Sequence, residues 1–129
     1  MKISNPTAIL GEELATEFLR KKGYKIIERN FRKGYGEIDI IAVQGRTLVF
    51  IEVKPRTSNA YGTPFEAITP FKLHSLVRTA QFYKQLNPKL PDSLRIDAIS
   101  VVLDYSYNAV NFEHIENISG FYCHPGAKL

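Results

Sequence analysis

Residues 36–54 read GEIDIIAVQGRTLVFIEVK. Two runs rich in β-branched and aromatic residues, Ile38–Val43 and Thr47–Val53, flank a short polar turn, the pattern of a β-hairpin. Gly45-Arg46, with glycine first as a type II′ turn requires, pairs Gln44 with Thr47. Counting back, Val43 faces Leu48, Ile41 faces Phe50, Asp39 faces Glu52 and Glu37 faces Lys54. Alternation then puts all eight of these side chains on one face, apolar near the turn and charged at the far end. The other face, with Ile38, Ile40, Ala42, Val49, Ile51 and Val53, is purely apolar. A hairpin greasy on both sides needs cover on both.

The surrounding chain supplies that cover. Asn5-Pro6 reads as a capped helix start, and the helix runs to about Lys22 before Gly23 stops it. At about 100° per residue from Leu10, Leu14 falls at about 40°, Phe18 at 80°, Ala15 at 140° and Leu19 at 180°, an apolar stripe centred near 90°. Glu12, at about 200°, borders the stripe, while Glu13, at about 300°, lies well outside it. Tyr24–Phe31 reads as a strand and Arg32-Lys33-Gly34 as a turn. Residues 55–64, PRTSNAYGTP, read as a loop. Thr69-Pro70 opens a second helix to about Leu86, Asn87–Asp92 forms a further loop, and Leu94–Asp104 with Val110–Ile115 forms a second strand pair around a turn at Tyr105–Asn108. Helix, three strands, helix and two strands predict an α/β sandwich: a mixed sheet of about five strands between two helices. One domain over residues 1–121 is expected, with a frayed tail at 122–129.

Composition narrows the class. The 129-residue chain is 44% apolar and 23% charged, ordinary for a globular protein and wrong for a disordered one. It has no apolar run long enough to span a bilayer, and acidic residues arrive too early for a secretory signal. A single cysteine, Cys123, excludes an internal disulfide and a multi-cysteine zinc site. A cytoplasmic location is the expectation. The formal charge of +4 is modest, but residues 20–36 hold seven Lys/Arg against one Glu, with Tyr24, Phe31 and Tyr35 interleaved. A solvated surface and a polyanion-binding one both fit that stretch.

The charged end of the hairpin is the chemical signal. Directly opposed, Asp39 and Glu52 would have Cβ atoms about 5 Å apart. Two carboxylates that close repel unless one is protonated or a cation lies between them. Mg²⁺ takes oxygen ligands, commonly one or two carboxylates with waters completing the shell. Lys54 projects to the same side, and Glu12 joins if the first helix packs on this face. Such a group suits metal-assisted phosphodiester hydrolysis. Singly, each element has a plain alternative: Glu-x-Lys is a common surface pattern, Asp39 could be a strand-end carboxylate bonded to backbone, and Glu37 with Lys54 could be an exposed ion pair worth under about 1 kcal/mol.

An acid on one strand, a turn and Glu-x-Lys on the next is the pattern of the PD-(D/E)xK nuclease superfamily. The longer string GEELATEFLRKKGYKIIERNFRKGYGEIDIIAVQGRTLVFIEVKPR, with the Ile68–Tyr83 helix and Arg95-Ile96-Asp97, resembles the YraN family of small bacterial proteins. That family is similar in turn to archaeal Holliday junction resolvases. The resemblance implies a restriction-endonuclease-like fold and a DNA endonuclease acting on double-stranded, branched or damaged DNA. It implies catalytic Glu12, Asp39, Glu52 and Lys54, with Asp39, Glu52 and Glu12 holding Mg²⁺ or Mn²⁺. Resolvases of this fold act as dimers, so a homodimer is compatible, although no self-complementary surface is legible here. Pro55 departs from the threonine usual in the family, and Ile38 stands where the superfamily name has proline. Arg32, Lys33, Arg56 and Lys72 are candidate phosphate contacts, although a solvated lysine is the plainer reading of Lys72. Asp97 is readable as a second acidic contributor, although the resemblance suggests a structural pairing with Arg95, and His74, His114 and His124 lack ligand or triad spacing. Two other readings stay open: a nucleic-acid-binding module of the same fold without cleavage, and an interaction protein whose carboxylates form only a local ion-pair network.

Overall fold

Both helices begin where a capping side chain meets proline. Asn5 Oδ1 accepts the amides of Thr7 (2.9 Å) and Ala8 (3.4 Å) at the start of α1, Pro6–Lys21. Thr69 Oγ1 accepts that of Lys72 (3.1 Å) at the start of α2, Pro70–Leu86. Each cap satisfies an amide the helix cannot, and proline at the first position forfeits no hydrogen bond. The computed structural model describes residues 5–33, 35–57 and 68–118. Its strands are β1 Lys25–Lys33, β2 Gly36–Gln44, β3 Thr47–Arg56, β4 Ser93–Leu103 and β5 Ala109–Ile115.

They form one sheet in the order β1-β2-β3-β4-β5. Only β3 and β4 run parallel, joined through α2, as a parallel pair requires a crossover. With α1 and α2 on opposite faces, this is the restriction-endonuclease-like α/β arrangement expected. No helix among the described residues is long and apolar enough to cross a membrane.

Several boundaries differ from expectation. Arg32 and Lys33 are not in a turn but end β1, where Lys33 pairs with Gly36. Pro55 and Arg56 are not in a loop but continue β3, because β4 carries the parallel ladder on to Arg56↔Val102. Residues 58–64 of the expected loop lie outside the described residues, as does the tail at 122–129 with Cys123 and His124.

Two cores divide the sheet. On the α1 side, Ala15 and Leu19 pack on Ile40, Ala42, Val49, Ile51, Val53, Ile99 and Val101. On the α2 side, Leu73, Leu76, Val77 and Ala80 pack on Ile38, Ile41, Leu48, Phe50 and Ile96. Ile38 therefore joins Ile41 rather than Ile40, against strict alternation. The buried residues of α1 are Gly11, Glu12, Ala15, Thr16 and Leu19, while Leu10, Leu14 and Phe18 are only partly covered. The buried stripe is thus centred near 170° on the helical wheel, not 90°. Glu12 lies inside it rather than on its border. Gly11 makes this rotation feasible, since a Cβ there would come 2.7 Å from Pro55 Cβ.

Candidate active site

The hairpin register holds from Gln44↔Thr47 to Ile40↔Ile51 and ends there. Gly45 has φ +60, and Arg46 is absent from the positive-φ residues, as a type II′ turn demands. The expected opposition of Asp39 to Glu52 and of Glu37 to Lys54 is therefore not formed. In a two-residue hairpin, hydrogen-bonded pairs recur every second residue, so Val53 N–H would bond the Ile38 carbonyl. Instead Asp39 Oδ2 accepts it at 2.8 Å. A carboxylate has taken the place of a backbone carbonyl, and the two strands part. Pro55 fits this opening. By the same parity its missing N–H points toward the gap left by β2, where no ladder bond is lost.

The parting explains how Glu12 arrives. α1 packs on the face opposite that of Glu52, so the shared face on which Glu12's joining was conditional is not formed. Glu52 projects with Phe50 toward α2, yet Glu12, Asp39 and Glu52 all line one cavity of about 230 Å³. Ala8, Glu37, Val53, Pro55 and Lys72 complete its wall. Ala8 and Lys72 each lie in the first turn of their helix, so both N-termini border the cavity and favour negative charge there.

All three carboxylates are buried, with Glu12 6%, Asp39 8% and Glu52 5% exposed. Cations compensate Glu12 and Glu52, while Asp39 accepts the Val53 amide. Glu52 Oε2 lies 3.3 Å from Lys54 Nζ and 3.6 Å from Lys72 Nζ. Glu12 Oε1 lies 3.8 Å from an Arg29 guanidinium nitrogen, and the same guanidinium bonds Glu13. Arg29 Nε is buried without a hydrogen-bond partner among the described residues. Glu37 approaches Arg32 (3.8 Å), its neighbour across the β1/β2 ladder, rather than Lys54. Lys54 does not line the cavity and acts on it through Glu52. Lys72, Arg32 and Lys33, with Gly36 and Glu37, line a wider open groove of about 570 Å³ beside it. Arg56, at the end of β3, lines neither.

Arg29 was not legible as a site residue. Its signal was the basic stretch 20–36, but only the β1 register, with Arg29 opposite Ile40, aims it at Glu12. His114, also without a motif, joins a second polar cluster on the α1 side. Its Nε2 lies 2.8 Å from Asp97 Oδ2 and its Nδ1 2.7 Å from Lys22 Nζ. Arg95 bonds both Asp97 oxygens (2.9 and 3.0 Å) and Tyr24 Oη (2.7 Å), and Asn117 donates its amide to Asp97 (2.9 Å). Burial pushes the Asp97 carboxyl up, but the bonds from His114, Arg95 and the Asn117 amide outweigh it and hold the group below its ordinary range. Every Asp97 oxygen is thus occupied from within, the structural role expected of it.

The cavity's donors are three carboxylates with no sulfur or imidazole, a set suited to a hard divalent cation. As the side chains stand, no three acidic, histidine or cysteine residues among those described converge closely enough to cage an ion. The donor set therefore fits a cation held by one or two carboxylates and completed by water and substrate oxygens, as Mg²⁺ commonly is.

The fold and this cavity define a restriction-endonuclease-like α/β domain with a buried carboxylate–lysine site where two strands part. The chain belongs to the Uncharacterised protein family UPF0102, whose model matches residues 11–101, in agreement with the YraN resemblance. It is 42% identical over 107 residues to a UPF0102 protein of Syntrophomonas wolfei, covering 83% of this chain and 91% of that one. It is 44% identical to one of Geobacter metallireducens (83% and 86% covered) and 45% identical to one of Thermotoga petrophila (83% and 91%). Among solved structures, Pyrococcus furiosus SfsA in complex with Ca²⁺ is similar at a TM-score of 0.33 and 16% identity, over 85% of this chain and 60% of that one.

Proposed function

We propose that this protein is a divalent-metal-dependent DNA endonuclease of the PD-(D/E)xK type, hydrolysing phosphodiester bonds in duplex or branched DNA. One observation carries the reading. Glu12, Asp39 and Glu52, from a helix and two strands, line one cavity at the point where a hairpin stops pairing. A fold that needed only stability would fill that space with apolar side chains, because buried charges are expensive to keep.

Asp39 and Glu52, with Glu12 in support, would hold Mg²⁺ or Mn²⁺, which supplies Lewis acidity and positive charge at the scissile phosphate. The Val53 amide anchors the Asp39 carboxylate, which lines the cavity, and would orient it for this role. Lys54, 3.3 Å from Glu52, would act through that carboxylate and add positive charge near the scissile phosphate as negative charge develops. Lys72 borders both cavity and groove and would hold a neighbouring phosphate. The resemblance to Holliday junction resolvases favours branched substrates and a dimer.

A second reading, a DNA-binding module without cleavage, is favoured by the engagement of Glu52 with two lysines and the lack of a converged three-ligand cluster among the described residues. Incubating purified protein with blunt duplex, flap and four-way-junction DNA in Mg²⁺, Mn²⁺ or EDTA separates the two. Metal-dependent cleavage of any of these, lost in Asp39→Asn, is the expected result. Salt-dependent binding without cleavage in either metal would establish the second reading.

A further inference from the structure

The turn between β1 and β2 carries an exposed aromatic side chain that neither the core nor the carboxylate cavity uses. Tyr35 is 48% exposed. The Arg78 guanidinium carbon lies 4.1 Å from its ring centroid, and the Phe82 ring braces it edge-on at 6.0 Å and 80°. Arg78 and Phe82 stand one turn apart on α2, so they share a face. The backbone is pinned as well. Ser75 donates its hydroxyl to the Tyr35 carbonyl at 2.6 Å, and Gly36 lies so close to α2 that a Cβ there would meet Ser75 Oγ at 2.6 Å. A half-exposed tyrosine held by three residues of one helix is a fixed flat surface.

Its position gives that surface a use. Tyr35 lies beside Lys33 and Gly36, which line the basic groove, and Lys72 joins the groove to the carboxylate cavity. Six residues at about 1.5 Å each place Arg78 about 9 Å along α2 from Lys72, one to two nucleotides of an extended strand. Cations spaced along a groove hold phosphates, and an aromatic ring or guanidinium plane beside them stacks bases irrespective of sequence. Bases inside a duplex are already stacked, so only unpaired ones can use it.

We infer that Tyr35 and Arg78 form a stacking platform for an unpaired base, and that the protein engages a single-stranded segment joined to the duplex it holds. This rests on the DNA-binding reading above, and the test separates the two. Binding is measured in EDTA, so that no cleavage occurs, with blunt duplex and with the same duplex carrying a short single-stranded tail containing 2-aminopurine. Wild type should bind the tailed DNA about ten-fold more tightly, at the lower end of what one stacked base gives, and quench 2-aminopurine fluorescence. Tyr35→Ala should bring the ratio near one, while Tyr35→Phe should retain it. Arg78→Lys keeps the charge but loses the planar surface, so it should lower the preference without changing the salt dependence. Tyr105→Ala, which removes a 90% exposed aromatic outside the groove, should change neither. Equal binding of the two DNAs by wild type, or an unchanged ratio in Tyr35→Ala, would overturn the platform alone. No binding of either DNA at low salt would overturn it together with the DNA-binding reading.

Discussion

Asp39 Oδ2 holds the Val53 amide at the point where β2 leaves β3, so one carboxylate both closes a broken ladder and faces the cavity. These two roles separate by mutation. Asp39→Asn keeps an oxygen acceptor for the amide and should change stability little. Asp39→Ala leaves a buried N–H unsatisfied and should cost about 1–3 kcal/mol in urea unfolding. Equal stability of the two variants would show that the bond does not hold the opening. Asp97 gives a pH prediction. Its carboxyl is held below the ordinary 3.8 in the folded chain, so its contribution is complete above the unfolded value and is lost as pH falls from about 4 through the folded one. Asp97→Asn should therefore melt below wild type at pH 7, with the two converging in acid. A constant gap from pH 7 to pH 3 would contradict the assignment. At this scale the residue identities of the acidic site were legible, because charge in an apolar hairpin is conspicuous. Arg95 was legible as a partner of Asp97, but His114 and Asn117 were not, since β5 and the chain beyond bring them to it with no spacing in sequence to announce them.

At the scale of elements, the caps, the type II′ turn and the register near it were readable because each is decided by a few adjacent residues. What failed was extrapolation past Ile40↔Ile51. Register counting assumes that a ladder continues, whereas the plainer reading of Asp39, a strand-end carboxylate bonded to backbone, is the one that the Val53 amide bears out. Pro55 was the available hint, as a proline in an inner strand needs a missing neighbour on its N–H side. The rotation of α1 was misread for a related reason. Leu10, Leu14 and Phe18 set the apparent stripe, but close approach at Gly11 turns the helix so that Glu12 and Thr16 go in. Gly11→Ala tests this. Helix propensity alone would raise stability by up to about 1 kcal/mol. The 2.7 Å clash with Pro55 should reverse that sign, with net destabilisation of about 1–2 kcal/mol by chemical denaturation. A stabilised Gly11→Ala variant would mean that α1 sits farther from β3.

For the whole molecule, the arrangement places negative charge inside a cavity and positive charge around it. The groove of Arg32, Lys33 and Lys72 lies at the open end of the hairpin, and Arg46 lies at the closed end. If DNA follows the groove, the slope of log affinity against log salt should shrink by about 0.9 for each of Arg32→Ala and Lys33→Ala, and stay unchanged in Arg46→Ala. Equal slopes in all three variants would place the nucleic acid elsewhere. The layering followed from element order alone, whereas the strand order and the joining of cavity and groove depended on how β4 and α2 dock. The most direct test compares cleavage rates of wild type, Asp39→Asn and Asp97→Asn on one cleavable branched DNA in Mn²⁺, with folding of each checked by circular dichroism. Both variants exchange a buried aspartate for its amide, but only one lines the cavity. The account predicts a loss of at least about 100-fold in Asp39→Asn and near wild-type cleavage in Asp97→Asn. Undiminished cleavage by Asp39→Asn, or its loss only in Asp97→Asn, would contradict it.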